Sequence, residues 1–289
     1  MKRVIRILAA GGIGDVLLLT PVLKEIKRVH PTSRLIIYCL DPLRIEILDL
    51  NPNIDSLRVV SGLDRLMYFT RIIKGKFMDY GRLMPNTFYS HSASKIIGEM
   101  IGVELEHTDI EIFLSREEEE RGREGLAGMK NPVAINVTGA CSPNKNWPIE
   151  RWNALVRSMS DVSFFQLGLR GEPLVEGAVD MRGLPLRESF ARLKFAKAFI
   201  GVESGLAHAA SGLHVPSVVL FGPSNPAVAG HEKNVNIYHK THCSPCLDTL
   251  FDAPCPYGRS CMHAISVDEV ANALNNILSC SPELVLNPM

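Results

Sequence analysis

Residues 199–212 read FIGVESGLAHAASG, and this stretch decides the fold. Phe199, Ile200 and Val202 form a short apolar run of the kind that makes a strand buried on both faces of a parallel sheet. The run stops at Glu203-Ser204-Gly205, and Leu206, Ala207, Ala209 and Ala210 begin a small-residue helix. A strand that turns directly into a helix at Ser-Gly presents consecutive backbone N–H groups at the positive end of the helix dipole. His208 follows one turn after Ser204, on the same face. The stretch therefore reads as an anion cradle at the strand end, where open α/β sheets bind ligands. Taken alone, His208 has the plainer reading of a packed core histidine. Glu203 would repel a phosphate and suits ribose hydroxyls better.

Working outward, the same alternation recurs along the chain. Apolar runs at 4–10, 34–39 and 57–60 read as strands, with helices at 15–29, 42–50 and 94–101. Ser115 and Glu118 form a capping box for an acidic helix over 116–127. The pattern then restarts, with strands at 133–137, 163–167, 198–202 and 217–221, helices at 150–159, 186–194 and 206–213, and a terminal helix from 267 to about 278. Two βαβ series predict an α/β chain with two doubly wound, Rossmann-like units. The expected division is 1–115, a linking helix at 116–130, and 131–289, the last unit carrying a Cys-rich segment at 243–261.

Composition agrees with a soluble globular chain. Of 289 residues, 46% are hydrophobic and 21% charged, and Lys plus Arg balance Asp plus Glu at 31 each. Zero net charge gives no electrostatic reason to expect a nucleic-acid partner. A basic cluster between Arg58 and Arg82 reads first as a solvated face. The N-terminal apolar run is broken by Gly11, Gly12, Gly14 and Asp15, which argues against a signal peptide. No uninterrupted run of about 18 apolar residues suggests a membrane span. The expected compartment is the cytoplasm, where seven cysteines argue against a disulfide framework.

Three further stretches carry chemistry. AAGGIGDVLLLTP (9–21) leaves the first strand and opens a helix. It departs from the dinucleotide fingerprint, because Leu17 occupies the third glycine position and Asp15 points its charge toward the phosphate place, so NAD binding is disfavoured. Asp15 reads equally as a helix-end acid or as a catalytic carboxylate. Asp41, at the end of the second strand, stands where a ribose-binding acid would be. NVTGACSPNKNWPIERW (136–152) sets Thr138, Gly139, Ser142 and Lys145 between a strand and a helix, with Lys145 a compact cation for phosphate oxygens. CSPCLDTLFDAPCPYGRSC (243–261) holds Cys243, Cys246, Cys255 and Cys261, a set suited to one structural Zn or Fe; packed free thiols or a redox pair are the rival readings.

Together GGIGDVLLLTPVLKEIK (11–27), NKNWPIERW (144–152) and FIGVESGLAHAASGLHVPSVVLFGPSNP (199–226) resemble the bacterial ADP-heptose:lipopolysaccharide heptosyltransferases, glycosyltransferase family 9. The resemblance covers most of the chain beyond residue 130 and is weakest at about 60–110. It implies a GT-B fold, two facing Rossmann-like domains with the acceptor side in the first and the nucleotide-sugar donor in the second. It implies an inverting, metal-independent transfer of heptose or a related sugar from an ADP-sugar to a lipopolysaccharide-core or other glycan or glycolipid acceptor. The enzyme would work in the cytoplasm, with room for a peripheral contact at the inner face of the inner membrane. Under it Asp15 is the catalytic carboxylate and Lys145 neutralises phosphate. Gly12, Gly14, Thr138, Ser142, Glu203, Ser204, Gly205 and His208 line the donor site. Glu203 stands where aspartate is commoner in the family. The stretch GKFMDYGRLMPN (75–86) lacks the family's usual pattern, and the chain is shorter than typical members. Cysteines after the donor domain occur in a subset of the family that includes protein-glycosylating relatives, so a protein heptosyltransferase is an alternative. A catalytically inactive nucleotide-sugar binder is another.

Overall fold

The computed structural model describes residues 3–9, 11–62, 76–77, 89–247 and 253–279. Two parallel sheets organise it. The first is built from β1 (Val4–Ala9), β2 (Arg34–Cys39), β3 (Ser56–Val59) and β4 (Lys76–Phe77), in spatial order β3-β2-β1-β4. The second holds β5 (Val133–Asn136), β6 (Phe164–Gln166), β7 (Val179–Asp180), β8 (Ala198–Val202), β9 (Ser217–Phe221) and β10 (Val235–Tyr238), in order β10-β9-β8-β5-β6-β7. Chain order reverses between β1 and β4 in one sheet and between β5 and β8 in the other. These switch points leave a crevice at the strand ends. Among the strands, β4, β7 and β10 are absent from the sequence reading. The first two are only two residues long, too short to show a period.

The second sheet is buried on both faces, with every residue of β5, β8 and β9 buried. Alternate side chains feed two cores, as a strand's period of two requires. Val133, Ile135, Ile200, Val218 and Leu220 join Trp147, Trp152, Met262 and Leu274 in one cluster. Ala134, Phe199, Val219 and Phe221 face the other way, into a cluster continuous with Ile7, Leu17, Leu23 and Ile37 of the first sheet's half. The two units therefore share apolar contact.

Two boundaries differ from the sequence reading for identifiable reasons. The helix expected over 15–29 is two helices, Ile13–Leu18 and Thr20–Val29, meeting at Leu19. Pro21 has no N–H to give to the Leu17 carbonyl, and the Thr20 hydroxyl donates to that carbonyl instead, at 2.8 Å. The capping box holds, with the Ser115 hydroxyl accepting from Glu118 N at 3.2 Å and Glu118 Oε2 accepting from Ser115 N at 2.7 Å. Its helix is Arg116–Glu124, and it packs on helix Leu186–Lys194 so tightly that a Cβ on Gly122 would lie 2.3 Å from the Ala191 carbonyl oxygen. The residues read as a linker are thus docked against the second unit.

Candidate active site

The loop after β1 needs its glycines. Gly11 has φ +92°, a conformation that L side chains rarely adopt, and the Arg44 guanidinium bonds its carbonyl. Asp15 lies in the first turn of the following helix, and its Oδ2 accepts the Gly12 N–H at 2.9 Å. This is the helix-end role. The same carboxyl is partly sunk between the two units. Burial pushes its pKa up and Glu203 adds to the rise, against the Gly12 N–H, Lys145 and Arg44, which oppose it. Arg44 also grips the Asp41 carboxylate, and Asp41 caps helix Pro42–Leu48 by accepting from Arg44 N at 3.2 Å. Asp41 is thus committed to a cap rather than presented as a free ribose-binding acid.

Across the crevice, the loop after β5 brings in Lys145. Its 3₁₀ turn, Pro143–Lys145, is capped by Ser142, whose hydroxyl accepts from Asn144 N at 3.3 Å. Ser142 is buried and does structural work in the turn, while Thr138 stands half-buried beyond the end of β5. The Lys145 stem lies across Gly139, where a Cβ would come within 2.8 Å of its Cδ. Behind it, Trp147 Nε1 donates to the Ile265 carbonyl at 3.1 Å and anchors the loop to the core.

Lys145 does not stand alone. Its Nζ pairs with Glu203 Oε2, and both side chains are nearly excluded from solvent, at 5% and 10% exposed. The Ser224 hydroxyl donates to the same oxygen at 2.5 Å, and Oε1 faces His208 Nε2 at 3.8 Å. Burial would lower the Lys145 pKa, but Glu203 and Cys141 hold it above the ordinary value. Burial would raise that of Glu203, but Lys145 and His208 hold it below. Both directions describe one charged, mutually supported pair. Glu203, read from sequence as a ribose contact, spends its carboxylate on groups of this chain.

Ser204 caps helix Gly205–Gly212 by accepting from Ala207 N at 3.4 Å, and its hydroxyl donates to Asn136 Oδ1 at 2.8 Å. Gly205 abuts Ile13, 2.9 Å from where a Cβ would stand, and Gly14 abuts the His208 ring. The β1 loop and the β8 loop thus touch directly, and Asp15, Lys145, Glu203 and His208 form one cluster drawn from both sheets. Sequence reasoning missed Arg44, Asn136, Ser224 and His231, whose Nε2 lies 2.8 Å from His208 Nδ1. Ser224 had a signal, the GPSNP turn at the same sheet edge; His231 had none.

The four cysteines converge as well. Cys243, Cys246, Cys255 and Cys261 line a single small cavity with Asn144, Pro223, Arg259 and Ser260. Four soft donors on one cavity suit Zn or Fe in kind. Yet among the described residues no group of three or more His, Cys, Asp or Glu side chains is arranged to hold an ion. Individual thiols serve their own surroundings instead. Cys243 Sγ lies 3.4 Å from Thr241 Oγ1, Cys255 Sγ accepts from Arg259 N at 3.4 Å, and Cys261 packs against Gly222. The basic cluster noted between 58 and 82 falls, apart from Arg58 and Lys76, outside the described residues. Among the described residues, no helix is long and apolar enough to cross a membrane.

Two parallel α/β sheets, meeting at a crevice fed by the switch points of both, define a GT-B type fold. The structure of a family 9 glycosyl transferase from Veillonella parvula superposes with a TM-score of 0.75 at 21% identity, over 96% of this chain and 98% of that one. TibC from enterotoxigenic E. coli, described as an iron-containing dodecameric glycosyltransferase, superposes with a TM-score of 0.72 at 18% identity, over 96% of this chain and 76% of that one. It has also been solved in complex with ADP-D-β-D-heptose. In sequence, lipopolysaccharide heptosyltransferase 1 of Pseudomonas aeruginosa is 29% identical over 129 residues, 40% of this chain and 36% of the relative. The chain thus matches about a third of that relative's length. The sequence model of glycosyltransferase family 9 (heptosyltransferase) matches residues 183–254.

Proposed function

We propose that the protein is an inverting glycosyltransferase that moves heptose from ADP-heptose to a lipopolysaccharide-core or related glycan acceptor. One observation carries this reading: a carboxyl with a raised pKa, Asp15, reaches from the first unit to the Lys145–Glu203–His208 cluster of the second. The motif resemblance and the heptosyltransferase relatives supply the sugar and the donor nucleotide. The units divide the labour, the first (1–115) taking the acceptor and the second (131–289) the donor.

In the proposed reaction Asp15 accepts the proton of the acceptor hydroxyl. That oxygen attacks the anomeric carbon from the face opposite ADP, and the bond from carbon to the diphosphate oxygen breaks with its electron pair leaving on ADP. A carboxyl whose pKa is pushed up by burial is a better base than an exposed one, provided it stays ionised at the working pH. Lys145, the N–H groups of Ser204 and Gly205, and His208 receive the charge that develops on the diphosphate. Glu203 and Ser224 hold the ammonium in place until phosphate oxygens compete for it. Gly12 and Gly14 let the β1 loop approach the donor closely. Closure of the two units excludes water and protects the donor from hydrolysis. The work is assigned to the cytoplasm, with the acceptor met at the inner face of the inner membrane.

The Cys-rich segment supports a protein acceptor as the second reading. We also assign Cys243, Cys246, Cys255 and Cys261 to one structural Zn or Fe, which would draw the four thiols together and staple the segment without entering the reaction.

The test is direct. The protein is incubated with ADP-heptose and either a lipid A–core precursor or a peptide acceptor, and products are read by mass spectrometry. Added heptose mass on the first supports the leading reading, and on the second the alternative. Bound, unreacted ADP-heptose with both acceptors would leave only a binder. Lys145→Ala and His208→Ala should each weaken ADP binding and slow transfer; unchanged constants in both would remove the donor site from this cluster.

A further inference from the structure

His231 belongs to none of the motifs that define the site, yet it touches the site's histidine. It follows helix Pro226–Ala229 in the turn leading to β10. The turn is held by its backbone: the His231 carbonyl accepts from Asn234 N at 3.1 Å and from Asn236 Nδ2 at 3.0 Å. From there the ring meets His208 edge to face, with centroids 5.1 Å apart and planes at 88°, and its Nε2 stands 2.8 Å from His208 Nδ1. The other nitrogen of His208, Nε2, faces Glu203 Oε1 at 3.8 Å and lies against the Gly14 backbone.

Both rings are neutral at neutral pH. Burial presses His208 down to about 4 and His231 down to about 3, outweighing the pull of Glu203 on the first and of Asp109 and Glu203 on the second. A short contact between two neutral imidazoles needs one proton between them, so one ring donates and the other accepts. If His208 donated from Nδ1, its Nε2 would be a bare lone pair aimed at the Glu203 carboxylate. It would then have nothing to give to a phosphate. If His231 donates, His208 Nε2 carries the hydrogen, which faces the Glu203 carboxylate with favourable polarity at 3.8 Å, beyond hydrogen-bond distance, and so stays available to a phosphate. The electrostatics favour the second arrangement, since the charged groups around His208 are the Glu203 carboxylate and the Lys145 ammonium paired with it.

We propose that His231 is a positioning residue that sets the tautomer of His208, giving its Nε2–H to His208 Nδ1 so that His208 presents Nε2–H to the donor diphosphate. The inference rests on the reading of this crevice as an ADP-sugar site. His231 itself need not touch the donor. Its action is the second partner's control over which imidazole nitrogen holds the proton.

Long-range proton–nitrogen correlation spectra of histidine-labelled protein test this on the native chain, without any ligand. His208 should give the pattern of the Nε2–H tautomer at pH 7. In His231→Phe, with its melting temperature checked, the pattern should become mixed or inverted and ADP should bind about tenfold more weakly. His231→Gln, whose amide can still donate, should recover both the pattern and most of the affinity. An Nδ1–H tautomer in the native protein would overturn the proposal. So would a His231→Phe variant with the native pattern and native ADP affinity. If the native protein bound no ADP at all, the donor reading would fail, while the tautomer measurement would still judge His231.

Discussion

Gly14 lies against the His208 ring so closely that a Cβ built on it would stand 2.7 Å from Cδ2 and 3.3 Å from Nε2. The two residues come from different sheets, so this contact fixes how near the β1 loop and the β8 loop approach. His208 is 3% exposed and held by His231, and has little freedom to retreat. Gly14→Ala should therefore push the loops apart, with an overpacking cost of about 1–3 kcal/mol. Chemical denaturation measures the stability change, and ADP titration should give a weaker dissociation constant. Wild-type values for both would mean that the contact imposes nothing.

Asp15→Asn should slow transfer severely while sparing ADP binding and without loss of stability. The carboxyl costs the fold something at neutral pH, because its folded pKa is raised above 3.8 mainly by burial. The amide removes that charge, and its oxygen can still accept the Gly12 N–H. Loss of a general base slows turnover about 10²- to 10⁴-fold. Turnover near the native rate in the variant, measured with ADP-heptose and acceptor, would return Asp15 to a purely capping role.

Acid should weaken the fold through the buried histidines. His208 and His231 have folded pKa values of about 4 and about 3, against 6.5 for the ordinary side chain. Between those values the unfolded chain binds protons that the folded one refuses. Their contribution is thus complete above about pH 6.5 and declines as pH falls toward 4. Melting temperatures measured from pH 7.5 to 5 should drop, and His231→Gln, lacking one of the two titrations, should drop less steeply. Parallel curves for the two proteins would show that the pair does not drive the loss.

Arg187 joins the two units. Its guanidinium pairs with Glu118 Oε2 at 2.6 Å and donates to the carbonyls of Glu46 at 3.1 Å and Phe113 at 2.9 Å. The Arg187 side chain, which makes the strongest single contribution, and the Ser115 backbone N–H hold the Glu118 carboxyl down to about 2. Arg187→Ala leaves a largely buried carboxylate and two carbonyls without their partner, a loss on the order of 3 kcal/mol. Hydrogen exchange should rise in helices Pro42–Leu48 and Arg116–Glu124. Protection unchanged in both helices would show that apolar contact alone holds the units together.

Metal analysis decides the cysteine cavity. Protein purified without added metal should carry about one Zn or Fe per chain, and Cys243→Ser/Cys246→Ser should lose it along with thermal stability. A content far below one, with an unchanged melting temperature in the variant, would leave four thiols that merely pack around one void.

Much of this was legible in the chain because it is local. The strand-to-helix signature of FIGVESGLAHAASG fixed β8, the turn and the helix after it, since a buried strand, a Ser N-cap and a run of small residues are short-range properties. The Ser115/Glu118 box was readable for the same reason. Local reading failed where a neighbour in sequence changed the hydrogen bonding. Pro21 split one expected helix into two, and the two-residue strands β4 and β7 exist only because a longer strand offers them an edge.

The sequence by itself determined the inventory: two βαβ series, the glycines that bend the β1 loop, and Asp15, Lys145, Glu203, Ser204 and His208 at strand ends. Tertiary structure decided what those groups do to one another. Lys145 and Glu203 are 58 positions apart, yet they form one buried ion pair, because β5 and β8 are neighbours in the sheet. His231, without a motif of its own, reaches His208 because the chain leaving β9 folds back beside the helix after β8. Burial is a property of the assembled core, so the raised pKa of Asp15 and the neutrality of both histidines come into being only when the two sheets close over them.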